Sequence, residues 1–181
     1  MPLKKPNRDR ERRVPDPCIS GRGALSDSNH CNFWMVQEGQ CAYSGFVIPE
    51  SGVLFTAKPE KFNYETTIDS VRSFLTAHPV PKGKKYALVM DNAPWHKKTM
   101  RLIEQDMLPE YEDIRKSVAF IRLPPYSPDL NPIEQVWRIT RRENTHNVFF
   151  SSLSLLESTV DSAFAAWATP NNQLKSLCTF K

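Results

Sequence analysis

The chain has 181 residues, of which 40% are hydrophobic and 24% charged, and carries a net charge of +4. That length suits one ordinary domain with a real core and is too short for two full ones. No apolar run reaches membrane-spanning length and the polar, basic amino terminus has no secretory pattern, so a cytoplasmic protein is the default expectation.

Residues 1–30 hold few large apolar side chains and several prolines and glycines, and show no period of two or 3.6. They read as a loop-like or disordered arm. Lys4, Lys5, Arg8, Arg10, Arg12 and Arg13 outnumber Asp9 and Glu11 by four, the whole excess of the chain. Such an arm either pairs with phosphate or stays solvated. The four cysteines (Cys18, Cys31, Cys41 and Cys178) have no Cys-x-x-Cys spacing and read as free thiols.

Phe33 to Gln37 and Ala42 to Ile48 read as short strands around a Glu38-Gly39 turn, and Val53 to Ala57 as a third strand. From Asn63 or Thr66 to Ala77 the spacing of Ile68, Val71, Phe74 and Leu75 predicts a helix that stops at His78-Pro79. Tyr86 to Met90 is a continuous apolar run, expected as a strand buried on both faces. Lys97 to Met107 predicts an amphipathic helix presenting Met100, Ile103 and Met107. Val118 to Leu123 is the next buried strand. Helices follow over Asn131 to about Arg142, Ser151 to Trp167 and Asn171 to Cys178. Short strands followed by βαβ units predict an α/β fold with a mixed sheet flanked by helices.

Two segments carry candidate chemistry. Asp91 follows directly on the run Tyr86–Met90, and ligands of open α/β sheets gather at the carboxyl ends of parallel strands. Asp91 therefore suits a metal or phosphate, or else it or Asn92 caps the next helix. Glu134 sits at the third helical position after Asn131 and Pro132, a pattern that also makes a capping box. Pro124, Pro125, Pro128 and Pro132 fix four backbone φ angles on the approach and stiffen it. Two carboxylates on rigid elements can share divalent metal ions, and ions held that way cut and join phosphodiesters. His96 either orients the site, contacts phosphate or caps. Lys97, Lys98, Lys82, Lys84 and Lys85 form either a positive rim near Asp91 or a solvated face. Trp137 reads as core, and Arg138, Arg141 and Arg142 can face DNA backbone.

The stretch Leu123-Pro-Pro-Tyr-Ser-Pro-Asp-Leu-Asn-Pro-Ile-Glu-Gln-Val-Trp137 resembles the third-carboxylate motif of DDE-type transposases of the Tc/mariner superfamily, in particular the bacterial insertion-sequence branch. Met90-Asp-Asn-Ala-Pro-Trp-His96 resembles the second-carboxylate motif, and the resemblance extends from about Cys31 to the end. It implies a ribonuclease-H-like catalytic domain over residues 31–181, two Mg²⁺ or Mn²⁺ ions, and DNA (transposon ends and target) as substrate. By this likeness Asp91 and Glu134 are catalytic, metal-binding carboxylates, and His96, Lys97, Lys98, Arg138, Arg141 and Arg142 are candidate DNA contacts. The family's first carboxylate sits on a first strand between the second and fourth. Here that place falls to residues 1–30, where neither Asp16 nor Asp27 follows an apolar run. The domain is therefore expected to be partial, its first strand missing. Self-association or a partner chain would supply the amino-terminal part. The competing expectation is a catalytically inactive, transposase-derived DNA-binding fragment.

Overall fold

The computed structural model describes residues 34–36 and 39–178, with 34–36 and 39–41 described by backbone alone. The basic arm over residues 1–30, with Asp16, Asp27 and Cys18, lies outside them, as do Cys31, Phe33 and the Gln37-Glu38 pair. Among the described residues six strands and six α-helices follow in order. They are β1 (Trp34–Val36), β2 (Gly39–Cys41), β3 (Ser44–Ile48), β4 (Val53–Ala57), α1 (Tyr64–Ala77), β5 (Tyr86–Met90), α2 (Pro94–Met100), α3 (Glu112–Ser117), β6 (Val118–Arg122), α4 (Pro132–Thr140), α5 (Leu153–Ala166) and α6 (Asn172–Cys178). The architecture is mixed α/β, and the described strands form three pairs. β1–β2 and β3–β4 are antiparallel and β5–β6 is parallel. None of the helices among the described residues is long and apolar enough to cross a membrane.

The expected hairpin between the first two strands is redistributed. β1 pairs with the short β2, and the run read as Ala42 to Ile48 begins at Ser44 and pairs with β4 instead. Gly52 makes the β3–β4 turn possible. Its φ is +69°, its N–H donates to Ile48 O at 2.8 Å, and a Cβ there would lie 2.0 Å from Asn171 O. Only glycine meets both demands. The close approach is where the chain's end docks, because Asn171 N donates to Ser51 O at 3.0 Å and Leu54 N to Trp167 O at 2.8 Å.

Two cores result. One lies between β3–β4 and the last helices and contains Tyr43, Leu54, Val136, Trp137, Val160, Phe164 and Leu174. Cys178 is buried in it as a free thiol, and burial pushes its pKa up to about 11, so it stays protonated and unreactive near neutrality. The other core packs α1, α2 and α3 against one face of β5–β6, with Val71, Ile103 and Ile114 fully enclosed. Each such side chain contributes about 1.5–3 kcal/mol by leaving water. α1 begins where Asn63 accepts from Thr66 N at 2.8 Å and Thr66 Oγ1 accepts from Asn63 N, and it buries Ile68, Val71 and Phe74 as its spacing predicts.

Two expectations fail here, and two short elements were not anticipated. β5 and β6 are not buried on both faces. Tyr86, Leu88, Met90, Val118 and Phe120 turn to the helices, whereas Val89 and Ile121 are 39% and 49% exposed. A continuous apolar run does not say how many layers cover it. The helix read as Lys97 to Met107 starts earlier, at Pro94, and passes through a wide five-residue turn at Arg101–Gln105. Met107 then adopts φ +48° and is exposed rather than core, since Pro109 disfavours continuing the helix through Leu108. Finally, α3 and the short 3₁₀ turn at Pro109–Tyr111 had no clear periodic signal.

Candidate functional site

β5 delivers Asp91 and β6 delivers the proline-rich loop. The two strands are parallel and in register, Met90 opposite Arg122, so their carboxyl ends emerge at one edge. The pairing continues past the strands. Leu123 N donates to Met90 O at 2.9 Å, and Asn92 Nδ2 donates to Leu123 O at 2.7 Å. The two sequence motifs are thus fastened to each other at their first residues. Asn92→Ala is expected to cost about 1–2 kcal/mol, because it removes a partner of a part-buried carbonyl. Urea denaturation measures this; an unchanged midpoint would show that the fastening contributes nothing.

Asp91 Oδ1 accepts from Ala93 N at 3.0 Å and lies 2.6 Å from His96 Nδ1. So short a contact with a carboxylate places the imidazole proton on Nδ1. The two side chains are only 15% and 20% exposed. Ala93, not Asp91 or Asn92, is the cap residue of α2, and no side chain caps that helix. Asp91 is instead held by a local turn and by a histidine five positions on, which the intervening Ala93-Pro94 bend makes possible. His96 is therefore in direct side-chain contact with Asp91.

The loop from Leu123 to Asn131 winds into α4 through successive tight turns. Leu130 N donates to Ser127 O, Asn131 N to Pro128 O, and Glu134 N to Asn131 O at 3.0 Å. Asn131 is the cap position of α4, but its side chain makes no cap bond, so the expected capping box is absent. Backbone turns and Pro132 at the first helical position do the work of the side chain. Tyr126, at the loop's tip, has φ +57° and is 92% exposed.

A cavity of about 580 Å³ opens beside these elements. Asp91, His96, Asn131, Pro132, Ile133 and Trp137 line one part of it. Glu134 is one residue beyond Ile133 on the first turn of α4, with Oε1 enclosed by protein, and it is not among the lining residues. The structure thus brings Asp91, His96 and the start of α4 to one cavity. Among the described residues no group of three His, Cys, Asp or Glu side chains gathers as a metal site.

The basic residues divide. Lys97 and Lys98 are exposed on α2, the helix that follows Asp91 in the chain, and Lys98 Nζ lies 3.6 Å from the centre of the Tyr64 ring. Lys82, Lys84 and Lys85 precede β5 and therefore lie at the opposite end of the strand, about 20 Å from Asp91 at the usual rise per residue. The expectation of one rim is corrected accordingly. Arg138, Arg141 and Arg142 are exposed on and just after α4. Arg138 reaches Asp129 at 3.6 Å and Arg142 reaches Glu143 at 3.1 Å, both solvent-screened contacts of little energetic weight. Two residues were overlooked in the sequence. Asn92 gave no signal beyond a possible cap. Trp95 stacks on Phe62 with ring centres 5.9 Å apart, and its enclosed Nε1–H has no hydrogen-bond partner among the described residues.

The comparison that decides the family is a match of residues 25–157 to the model of the DDE superfamily endonuclease domain. The chain belongs to the DDE superfamily of endonucleases. No curated protein and no solved structure matches it. Membership implies transposase-type nuclease chemistry on DNA with divalent metals. In this DDE endonuclease chain the matched span includes both fastened motifs and ends inside α5.

Proposed function

We propose that the chain carries the second and third carboxylate motifs of a transposase of the Tc/mariner superfamily, bacterial insertion-sequence branch. In this reading residues 31–181 form most of a ribonuclease-H-like catalytic domain that lacks its first strand and first carboxylate. Residues 1–30 are a basic arm ahead of it. The observation that carries the reading is the fastening of Asn92 to Leu123, which sets Asp91 and the loop leading to Glu134 at one end of a parallel strand pair.

Asp91 and Glu134 are the residues that would hold Mg²⁺ or Mn²⁺. Carboxylate oxygens are the hard donors such ions prefer; Asp91 lines the cavity, and Glu134 stands on the first turn of the helix whose start lines it. A divalent cation bound there supplies charge to the scissile phosphate and to the displaced oxygen. The chain's own part is positional. His96 and the Ala93 N–H hold Asp91 in one orientation. Four prolines limit how far the first turn of α4 can move. Lys97, Lys98, Arg138, Arg141 and Arg142 are placed to take DNA phosphates. The reaction is in-line displacement at phosphorus. Water attacks phosphorus and displaces O3′, leaving a 5′-phosphate and a 3′-hydroxyl; in strand transfer that 3′-hydroxyl attacks a target phosphorus, forming a new phosphodiester as the target's own P–O3′ bond breaks and its 3′ oxygen leaves as a hydroxyl.

An incomplete carboxylate set has a direct test. The purified chain should bind duplex DNA in a strongly salt-dependent way and show no Mg²⁺-dependent nicking of supercoiled plasmid. Nicking by the chain alone, abolished by Asp91→Ala, would refute the incompleteness.

A further inference from the structure

We propose that Tyr126, at the tip of the proline-rich loop, stacks its ring on an unpaired base of the DNA strand held beside Asp91. This deepens the proposed nuclease function and rests on it for DNA as the ligand.

Nothing inside the chain accounts for a tyrosine at this position. Pro125 followed by a residue at φ +57° is the pattern of a type II turn, whose second central position suits glycine or asparagine. A bulky side chain there crowds the backbone and disfavours the left-handed conformation. Burial does not offset that strain, because Tyr126 is 92% exposed. Among the described residues its ring meets no other ring and no cation, and its hydroxyl has no hydrogen bond. Neither the turn nor the core selects this residue. Backbone strain of this kind gathers at ligand clamps and active sites.

The loop presents the ring rigidly. Ser127 Oγ donates to Pro125 O at 3.2 Å, Leu130 N to Ser127 O at 3.2 Å and Asn131 N to Pro128 O at 2.9 Å. The Ser127 hydroxyl is thus turned into the loop, and Pro125 and Pro128 fix the backbone on both sides of the tip. An aromatic side chain held this way loses little conformational freedom when it meets a planar partner.

Position and charge name the partner. Leu123, three residues before Tyr126, is bonded to Met90 O and to Asn92 Nδ2, the residues on either side of Asp91. Three residues of chain reach at most about 11 Å, and successive nucleotides of one strand rise by about 3.4 Å. The ring therefore lies within a few nucleotides of a phosphate at Asp91. Arg122 is exposed at the end of β6, and the exposed Arg138 reaches the acid of the same loop, Asp129, at 3.6 Å. Arginines that take the backbone beside an aromatic face that takes a base are the means by which single strands are held. A base inside a duplex already has both faces stacked, so the ring needs an unpaired one, such as a strand end provides.

The test uses the 181-residue chain without metal. The probes are a short blunt duplex and the same duplex with an unpaired 3′ end containing 2-aminopurine, whose emission is quenched on stacking. Tyr126→Gly removes the ring while suiting the turn. It is expected to weaken binding to the unpaired end roughly tenfold, the usual effect of losing one base–aromatic stack. Binding to the blunt duplex, carried by phosphate contacts, should change by less than about twofold. The urea midpoint should not fall. Tyr126→Phe should keep both the affinity and the quenching. Three results would overturn the proposal: parental affinity for the unpaired end in Tyr126→Gly, equal losses on both duplexes, or a Tyr126→Phe variant as weak as Tyr126→Gly. A parental chain that binds neither duplex removes the nuclease reading as well, whereas any of the three results with blunt-duplex binding by the parental chain leaves that reading standing.

Discussion

Under the proposed function, Asp91→Asn and Glu134→Gln are each expected to lower metal-dependent DNA cleavage roughly 10²–10³-fold in a nuclease that holds these residues within a complete carboxylate set, the magnitude attached to losing a principal electrostatic group. Both replacements keep the side chain's size and hydrogen-bond acceptor while removing its charge. Asn at position 91 can still accept from Ala93 N, so the local turn survives. DNA binding without metal should change by less than about twofold, because the phosphate contacts proposed here are made by lysines and arginines. Cleavage is measured on supercoiled plasmid and binding by mobility shift, with circular dichroism to verify folding. A variant that cleaves at the parental rate would remove that residue from the metal-binding pair.

Trp137→Ala is expected to destabilise the chain by about 3–5 kcal/mol, the usual cost of deleting a large buried aromatic. Trp137 is only 5% exposed and lies 5.6 Å from Phe164 between ring centres. Its ring also fills the space a side chain at Gly45 would need, since a Cβ there would be 2.7 Å from it. The residue thus locks α4, which bears Glu134, against β3. Gly45→Val should be damaging for the same reason in reverse, by overpacking. Tyr126→Ala, at a 92% exposed position, should change stability by less than about 0.5 kcal/mol. Urea denaturation of the three variants decides this, and a Trp137→Ala cost below that of Tyr126→Ala would contradict the packing account.

How much of this was legible in the sequence depended on the kind of signal. α1 was readable because its cap and its apolar stripe agree: Asn63 closes a reciprocal pair with Thr66, and Ile68, Val71 and Phe74 are buried on one face. β5 and β6 were readable as short apolar runs bounded by polar or turn-forming residues. What failed was whatever depended on a distant neighbour. The exposure of Val89 and Ile121 depends on which layers cover the second face, and no local pattern records that. The exposure of Met107 depends on the turn that precedes Pro109, a geometry of five-residue spacing that the 3.6 period does not anticipate. The capping box at Asn131 and Glu134 was a sound local pattern, yet the proline-rich turn satisfied the helix start through the backbone. Within the site, Asp91 and His96 were both visible as candidates, but the direct contact between them was not. Asn92, which joins the two motifs, was nearly silent, because its function is a bond to a carbonyl 31 positions away.

The central claim is that Asp91 and Glu134 grip one divalent cation at the carboxyl end of the β5–β6 pair. Anomalous diffraction at the manganese edge, from crystals of the chain soaked in MnCl₂, tests it most directly. The account predicts a peak within coordination distance of a carboxylate oxygen of each residue, absent from crystals of Asp91→Asn. Manganese bound elsewhere with that position vacant, or the two carboxylates directed to opposite sides of α4, would contradict it.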